Sequence, residues 1–318
     1  MLLQISLFIV GLALLSWSAD RFVYGASALA KNVGISPMII GMTIVAMGSS
    51  APEIMVAATA SMGGTPNTAV GNAIGSNITN IALVLGITAL CKPLMVASVT
   101  VKREMPILLL VSLIAAYFLS DLMLTQVEGI VLAILFFLTI GGLTMLSLHA
   151  DRKDPYAREA DDEIPSNVPM SKAVIWVVVG MILLPFSADI MVDAAVNIAK
   201  HFGMSDLLIG LTIIAIGTSL PELAASIAGV MKGEDDLALG NIIGSNIFNI
   251  LAVLAMPGLI APGIIDSLAA ERDMYVMLGL TLLLLAFSFG FRGVREITRW
   301  EGGLLVAAFL GYQVLLFS

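Results

Sequence analysis

The chain has little charge. Only 12% of its 318 residues are Asp, Glu, Lys or Arg, against 59% hydrophobic residues and a mean hydropathy of +1.02. That leaves too little polar surface to face water and describes a polytopic, all-α membrane protein. A single cysteine, Cys91, excludes an internal disulfide and any cysteine-based metal cluster. The two histidines, His149 and His201, fall at the ends of apolar runs, where an interfacial position is the natural reading. Basic residues are outnumbered 15 to 23, and the resulting net charge of −8 argues against nucleic acid as a partner. No Lys or Arg precedes the apolar residues 2 to 16, and the first basic residue, Arg21, follows them. The segment therefore reads as a retained first transmembrane helix, not as a cleaved signal.

What is present is a series of apolar segments of about twenty residues, the length that spans a bilayer. They fall near 2–29, 36–61, 67–91, 105–120 and 127–148, then resume near 170–199, 205–230, 237–260, 274–291 and 302–317. The only long charged run begins at Asp151 and ends at Glu163. The expected organisation is a first five-helix repeat over 1–150, a linker over 151–168 and a second five-helix repeat over 169–318.

The two sets are copies. At an offset of 169 residues, the segment GMTIVAMGSSAPE ending at Glu53 returns as GLTIIAIGTSLPE ending at Glu222. Ser18 and Asp20 match Ser187 and Asp189, and Arg103 and Glu104 match Arg272 and Asp273. Between Gly34–Gly86 and Gly203–Ala255, 25 of 53 positions are identical without a gap, well above what composition bias gives. Past the fourth helix the offset becomes 173, which pairs Thr125 and Glu128 with Thr298 and Glu301. An odd number of spans per copy inverts the second half relative to the first. Twelve basic residues flank loops on the linker's side and only Lys200 and Arg272 flank the other, so the linker is expected in the cytoplasm and both termini outside.

Pro52 has no amide proton, and its ring collides with the carbonyl of Gly48 four residues back, so the second helix is expected to break near Gly48–Ser50. Pro221 and Gly217 repeat this in the seventh helix. Carbonyls freed inside a membrane need protein, trapped water or a cation as partners. Helical spacing puts Ser49 and Ser50 on the face of Glu53, and Thr218 and Ser219 on that of Glu222. The third and eighth helices carry GNAIGSNITN, residues 71–80, and GNIIGSNIFN, residues 240–249. Gly71, Gly75, Gly240 and Gly244 have the small-xxx-small spacing of close helix packing. Ser76 and Asn80, like Ser245 and Asn249, share a face. The expected architecture is thus ten transmembrane helices in two inverted repeats of five, with interrupted helices 2, 3, 7 and 8 meeting at a midplane ion site. Its inventory is oxygen without His or Cys, which suits Ca²⁺ or Na⁺ and disfavours zinc, copper or iron. Two carboxylates neutralise one Ca²⁺, whereas each left bare in lipid costs on the order of 3 kcal/mol.

These paired motifs resemble the alpha-repeats of the cation/Ca²⁺ antiporter superfamily, in particular its sodium/calcium exchanger branch and the bacterial members of it. The resemblance covers essentially all ten helices. It implies alternating access in which Glu53 and Glu222 bind Ca²⁺ with the carbonyls of Ser49 and Thr218. Na⁺ ions would use the same carboxylates with Ser50, Ser76, Ser219, Ser245 and the carbonyls of Ala46 and Ala215. It also implies a bacterial inner membrane, with transported ions in place of any prosthetic group. The best-known exchangers often carry an aspartate where Asn80 or Asn249 closes the GSNIxN segment, so these two amides are a departure within the candidate ligand set.

Several readings stay open at this point. The carboxylates also suit exchange of Ca²⁺ for H⁺, or of another divalent cation. A hydrolase using an intramembrane serine lacks a mid-membrane histidine to act as base, and duplicated inverted halves favour two-sided access over a passive pore. Asn72, Asn77, Asn241 and Asn246 are either ligands or interhelical clasps on broken backbone. Asp20 and Asp189 read as solvated or capping carboxylates as readily as ion-entry groups, and the acidic linker as a solvated loop. No feature of the chain calls for a protein partner; its surroundings are the bilayer and its ions Ca²⁺, Na⁺ and H⁺.

Overall fold

The computed structural model describes residues 1–149, 168–202, 215–289 and 295–317. Among these, five helices are each long and apolar enough to cross a bilayer, among them Leu2–Val33, Pro66–Cys91 and Asp235–Ile260. Gln126–His149 and Met170–His201 belong to the same set. A sixth span is the pair Pro37–Ser49 and Ala51–Met62, bent by 47°. Met105–Leu119, Met274–Ser288 and Arg299–Phe317 supply the fourth, ninth and tenth positions in the order. Ala215–Thr218 and Leu220–Met231 form the described part of the seventh. The linker 151–168 lies almost wholly outside the described residues, as does the expected start of the seventh span.

The interruptions take two forms. In the second span the helix stops at Ser49 and restarts at Ala51, with Ser50 between them at φ −91°, ψ 7°. In the seventh, Ser219 takes φ −92°, ψ 5° before Leu220–Met231 begins. Pro52 and Pro221 thereby fall in the first turn of the helices that follow, where a missing amide proton costs nothing. The third and eighth spans do not stop. They widen into π turns at Asn80–Leu85 and Asn249–Val253, which start at the last Asn of each motif.

The duplication governs the helix ends too. Thr125 and Glu128 form a reciprocal cap: the Glu128 carboxylate accepts from the Thr125 amide at 2.7 Å and hydroxyl at 2.8 Å, while the Glu128 amide donates back at 3.3 Å. Thr298 and Glu301 repeat it with the same distances. This is a capping box, which accounts for that shared spacing in the sequence. Arg103–Glu104 and Arg272–Asp273 are paired ions in matching π turns ahead of the fourth and ninth spans.

Short strands clamp the loops. Leu94–Met95 pairs antiparallel with Glu296–Ile297, and Met123–Leu124 with Gly263–Ile264. Both pairs join the first repeat to the second, at opposite ends of the helices. The first and sixth spans pack along one another, where a Cβ on Gly180 would lie 2.5 Å from the Phe22 side chain and one on Gly25 2.7 Å from Trp176. The eighth span is the centre of the molecule, fully buried from Leu237 through Phe248. Its Gly244 lets the second span approach so closely that an added Cβ would meet Met42 Cα at 2.5 Å and Ala46 Cβ at 2.8 Å.

Candidate functional site

The two glutamates sit one residue past their proline, in the first turn of Ala51–Met62 and of Leu220–Met231. A helix start carries unpaired amides and a partial positive charge, a favourable place for a carboxylate. Both are sealed inside the protein, Glu53 at 1% exposure and Glu222 at 0%. Ser49, Ser50, Ser76, Ser219, Ser245, Asn80 and Asn249 are buried as well, and Ala46 backs the break. Thr218 is half-buried at the end of Ala215–Thr218.

Hydrogen bonds tie these residues across the repeats. Ser50 Oγ donates to Glu222 Oε1 at 3.0 Å. Ser49 Oγ donates to Asn241 Oδ1 at 3.1 Å and lies 3.5 Å from Ser245 Oγ. Helical spacing relates Ser50 to Glu53, but the break at Ser50 ends that spacing, and the hydroxyl reaches the glutamate of the other half. The Ala46 carbonyl accepts the Ser50 amide at 2.9 Å, so the first half-helix is closed by its own backbone.

Asn72 and Asn241 resolve as clasps. Each donates its Nδ2 at 3.3 Å to the backbone carbonyl of its glutamate, Asn72 to Glu53 and Asn241 to Glu222. Each therefore fixes a backbone group beside a break. Asn246 donates to the Ile242 carbonyl of its own helix, and Asn77 to the sulfur of Met277. Asp20 is held by Lys232 at 2.7 Å, an ion pair between the first span and the end of the seventh. Ser226, which accepts from Asn241 at 3.1 Å, was not marked by the sequence, since Ala57 stands at the matching place in the first repeat.

Several buried polar atoms at this convergence have no hydrogen-bond partner among the described residues: Glu53 Oε2, Glu222 Oε2, Ser219 Oγ, Asn80 Oδ1 and both polar atoms of Asn249. Native proteins leave few such groups unpaired, and an unpaired one costs roughly 1–3 kcal/mol. All but the Asn249 amide nitrogen are oxygens. Among the described residues no cluster of three or more His, Cys, Asp or Glu forms. The site is thus two carboxylates amid neutral oxygens, the chemistry of a hard cation with a low to moderate charge.

Comparison with known proteins covers the whole chain. The sequence model of a family described as sodium/calcium exchanger protein matches residues 3–145 and 172–318. The chain is 61% identical to a protein of Alkalimonas amylolytica named as antiporter CaxA, over 98% of this chain and 97% of that one. It is 44% identical to the inner membrane protein YrbG of Escherichia coli (strain K12), over 100% of this chain and 98% of that one. A solved structure of the sodium-calcium exchanger NCX_Mj, soaked with zero Na⁺ and Ca²⁺, superposes with a TM-score of 0.84 at 33% identity and covers 99% of both chains.

Proposed function

We propose, since this chain belongs to the sodium/calcium exchanger family, that the ion it exchanges for Ca²⁺ is Na⁺. The chain is a ten-helix membrane antiporter of the cation/Ca²⁺ class with inverted repeats, and not an enzyme. The finer reading assigns Glu53 and Glu222, with the carbonyls of Ser49 and Thr218, to Ca²⁺. The same carboxylates with Ser50, Ser76, Ser219, Ser245, Asn80, Asn249 and the carbonyls of Ala46 and Ala215 hold Na⁺.

The observation that carries this reading is the pair of buried glutamates, each with one carboxylate oxygen lacking a partner among the described residues, beside further unpartnered oxygens from the third, seventh and eighth spans. One Ca²⁺ or two Na⁺ neutralise two ionised carboxylates. Ions that satisfy the same oxygens exclude one another, so loading one releases the other and exchange follows from electrostatics. Alternation between two faces is what inverted repeats make available, because each half can take the conformation of its mate.

The same reading sets the chain in a bacterial inner membrane with termini outside and the 151–168 linker in the cytoplasm. Support comes from the basic residues gathered on one side and from the 44% identity to an inner membrane protein. The test is uptake of radioactive Ca²⁺ into proteoliposomes under an imposed Na⁺ or H⁺ gradient. Uptake driven by outward Na⁺ at constant pH is the expected result. Uptake driven by a proton gradient and indifferent to Na⁺ would establish the Ca²⁺/H⁺ alternative.

A further inference from the structure

The two halves of the site are copies in sequence but not in bonding. Asn72 of the first repeat makes one contact to its glutamate, at 3.3 Å to the Glu53 carbonyl. Its mate Asn241 makes the same contact, to the Glu222 carbonyl at 3.3 Å, and two more to other residues: it donates to Ser226 Oγ at 3.1 Å and accepts from Ser49 Oγ at 3.1 Å. Asn241, Ser226 and Ser49 are all at 0% exposure. The Glu222 carboxylate accepts Ser50 Oγ at 3.0 Å, while Ser219, the mate of Ser50, has a buried hydroxyl with no partner among the described residues. One replacement underlies part of this difference. Ser226 stands where the first repeat has Ala57, so Asn72 has no hydroxyl to hold at that position.

We infer that Asn241 and Ser226 are positioning residues that make the two glutamates inequivalent: Glu222 is held in place before the ion arrives, and Glu53 adjusts to it. Asn241, on the eighth span, bonds to the seventh and the second at once. It fixes the backbone at the start of Leu220–Met231, and through Ser49 it ties that start to the end of Pro37–Ser49. Ser226 lies four residues beyond Glu222, one turn on, and its hydroxyl orients the Asn241 amide so that Nδ2 faces the seventh span and Oδ1 faces Ser49. Both glutamates have their backbone clasped at 3.3 Å and keep one carboxylate oxygen without a partner among the described residues; what sets Glu222 apart is the Ser50 hydroxyl on its other oxygen and the bonds from Ser226 and Ser49 that hold its clasp. A preorganised ligand loses less freedom on binding, so the affinity for Ca²⁺ depends more on the network behind Glu222 than on its counterpart behind Glu53.

This inference rests on the exchange reading above, and its test separates the two. Purified, detergent-solubilised protein is measured for equilibrium binding of radioactive Ca²⁺, and the same variants are measured in proteoliposomes for half-saturating Ca²⁺ and maximal exchange rate. Ser226→Ala is expected to weaken Ca²⁺ binding about fivefold to tenfold, with maximal rate kept, and Ser226→Thr to restore it because the hydroxyl returns. Asn241→Ala is expected to weaken binding more than Asn72→Ala. If Asn241→Ala fails to fold, the Ser226 pair decides alone. Equal losses for the two Asn variants, or an Ala and a Thr variant at position 226 that behave alike, would overturn the inequivalence. Wild-type protein that binds no Ca²⁺ would instead sink the exchange reading on which it stands.

Discussion

Ser50 and Glu222 are separated by 172 residues and meet at 3.0 Å, each at the break of its own span. The contact joins the two repeats at the site itself. A hydrogen bond to a charged group contributes about 1.5–3 kcal/mol. Ser50→Ala is therefore expected to weaken Ca²⁺ binding by about tenfold to a hundredfold, read as a shift of the equilibrium binding curve. Unchanged affinity would mean that Glu222 is positioned without this hydroxyl.

Neutralising either carboxylate removes half of the compensating charge. Glu53→Gln and Glu222→Gln are each expected to reduce Ca²⁺ uptake to background in proteoliposomes while leaving the protein monodisperse. An uptake rate near wild type in either variant would remove that glutamate from the ion site.

The prolines set the breaks. Alanine at 52 and 221 supplies an amide proton that can reach Gly48 or Gly217, straightens each helix and withdraws carbonyls from the site. The double variant Pro52→Ala, Pro221→Ala should bind Ca²⁺ at least about tenfold more weakly with little loss of thermal stability. Wild-type affinity and turnover would show the breaks to be incidental.

Competition is the signature of a shared site. Raising Na⁺, with K⁺ as the ionic-strength control, should shift Ca²⁺ binding to higher concentrations with a steep Na⁺ dependence and no loss of sites. Protons bind the same two carboxylates, so acidification should weaken Ca²⁺ binding as well. A third Na⁺ would bring a net positive charge into a poorly screened interior, which Asn80 and Asn249 do not offset as aspartate would. If Ca²⁺ affinity ignores Na⁺ yet falls on acidification, the coupling ion is the proton.

Sidedness can be read directly. A cysteine or reporter within 151–168 should label from the cytoplasm of intact cells, and tags at either terminus from outside. Labelling of the linker from outside would reverse the orientation and leave the inverted repeat as it is.

The two glutamates, their prolines and the ten-span plan were legible because each is written twice and each breaks a rule of lipid-embedded sequence. The capping boxes at Thr125 and Thr298 left a trace too, as matched residues three apart. What escaped was contact between the copies. Nothing local says that Ser50 crosses to Glu222, since the helical spacing that relates it to Glu53 ends at Ser50 itself. Ser226 escaped for a different reason. It falls where the copies differ, and a reading that finds sites by repetition passes over a residue whose role depends on being unrepeated.

The strand pairs make the two halves depend on one another. Leu94–Met95 and Met123–Leu124 both belong to the first repeat, and neither pairs with a strand of its own half; their partners are Glu296–Ile297 and Gly263–Ile264. A lone five-span unit would leave both edges open. Two such units lying antiparallel in the bilayer would close each other's edges at both surfaces, as two subunits of a dimer do. Each half thus completes its strand edges only against its inverted mate, so that separating the repeats would expose open backbone at both membrane surfaces.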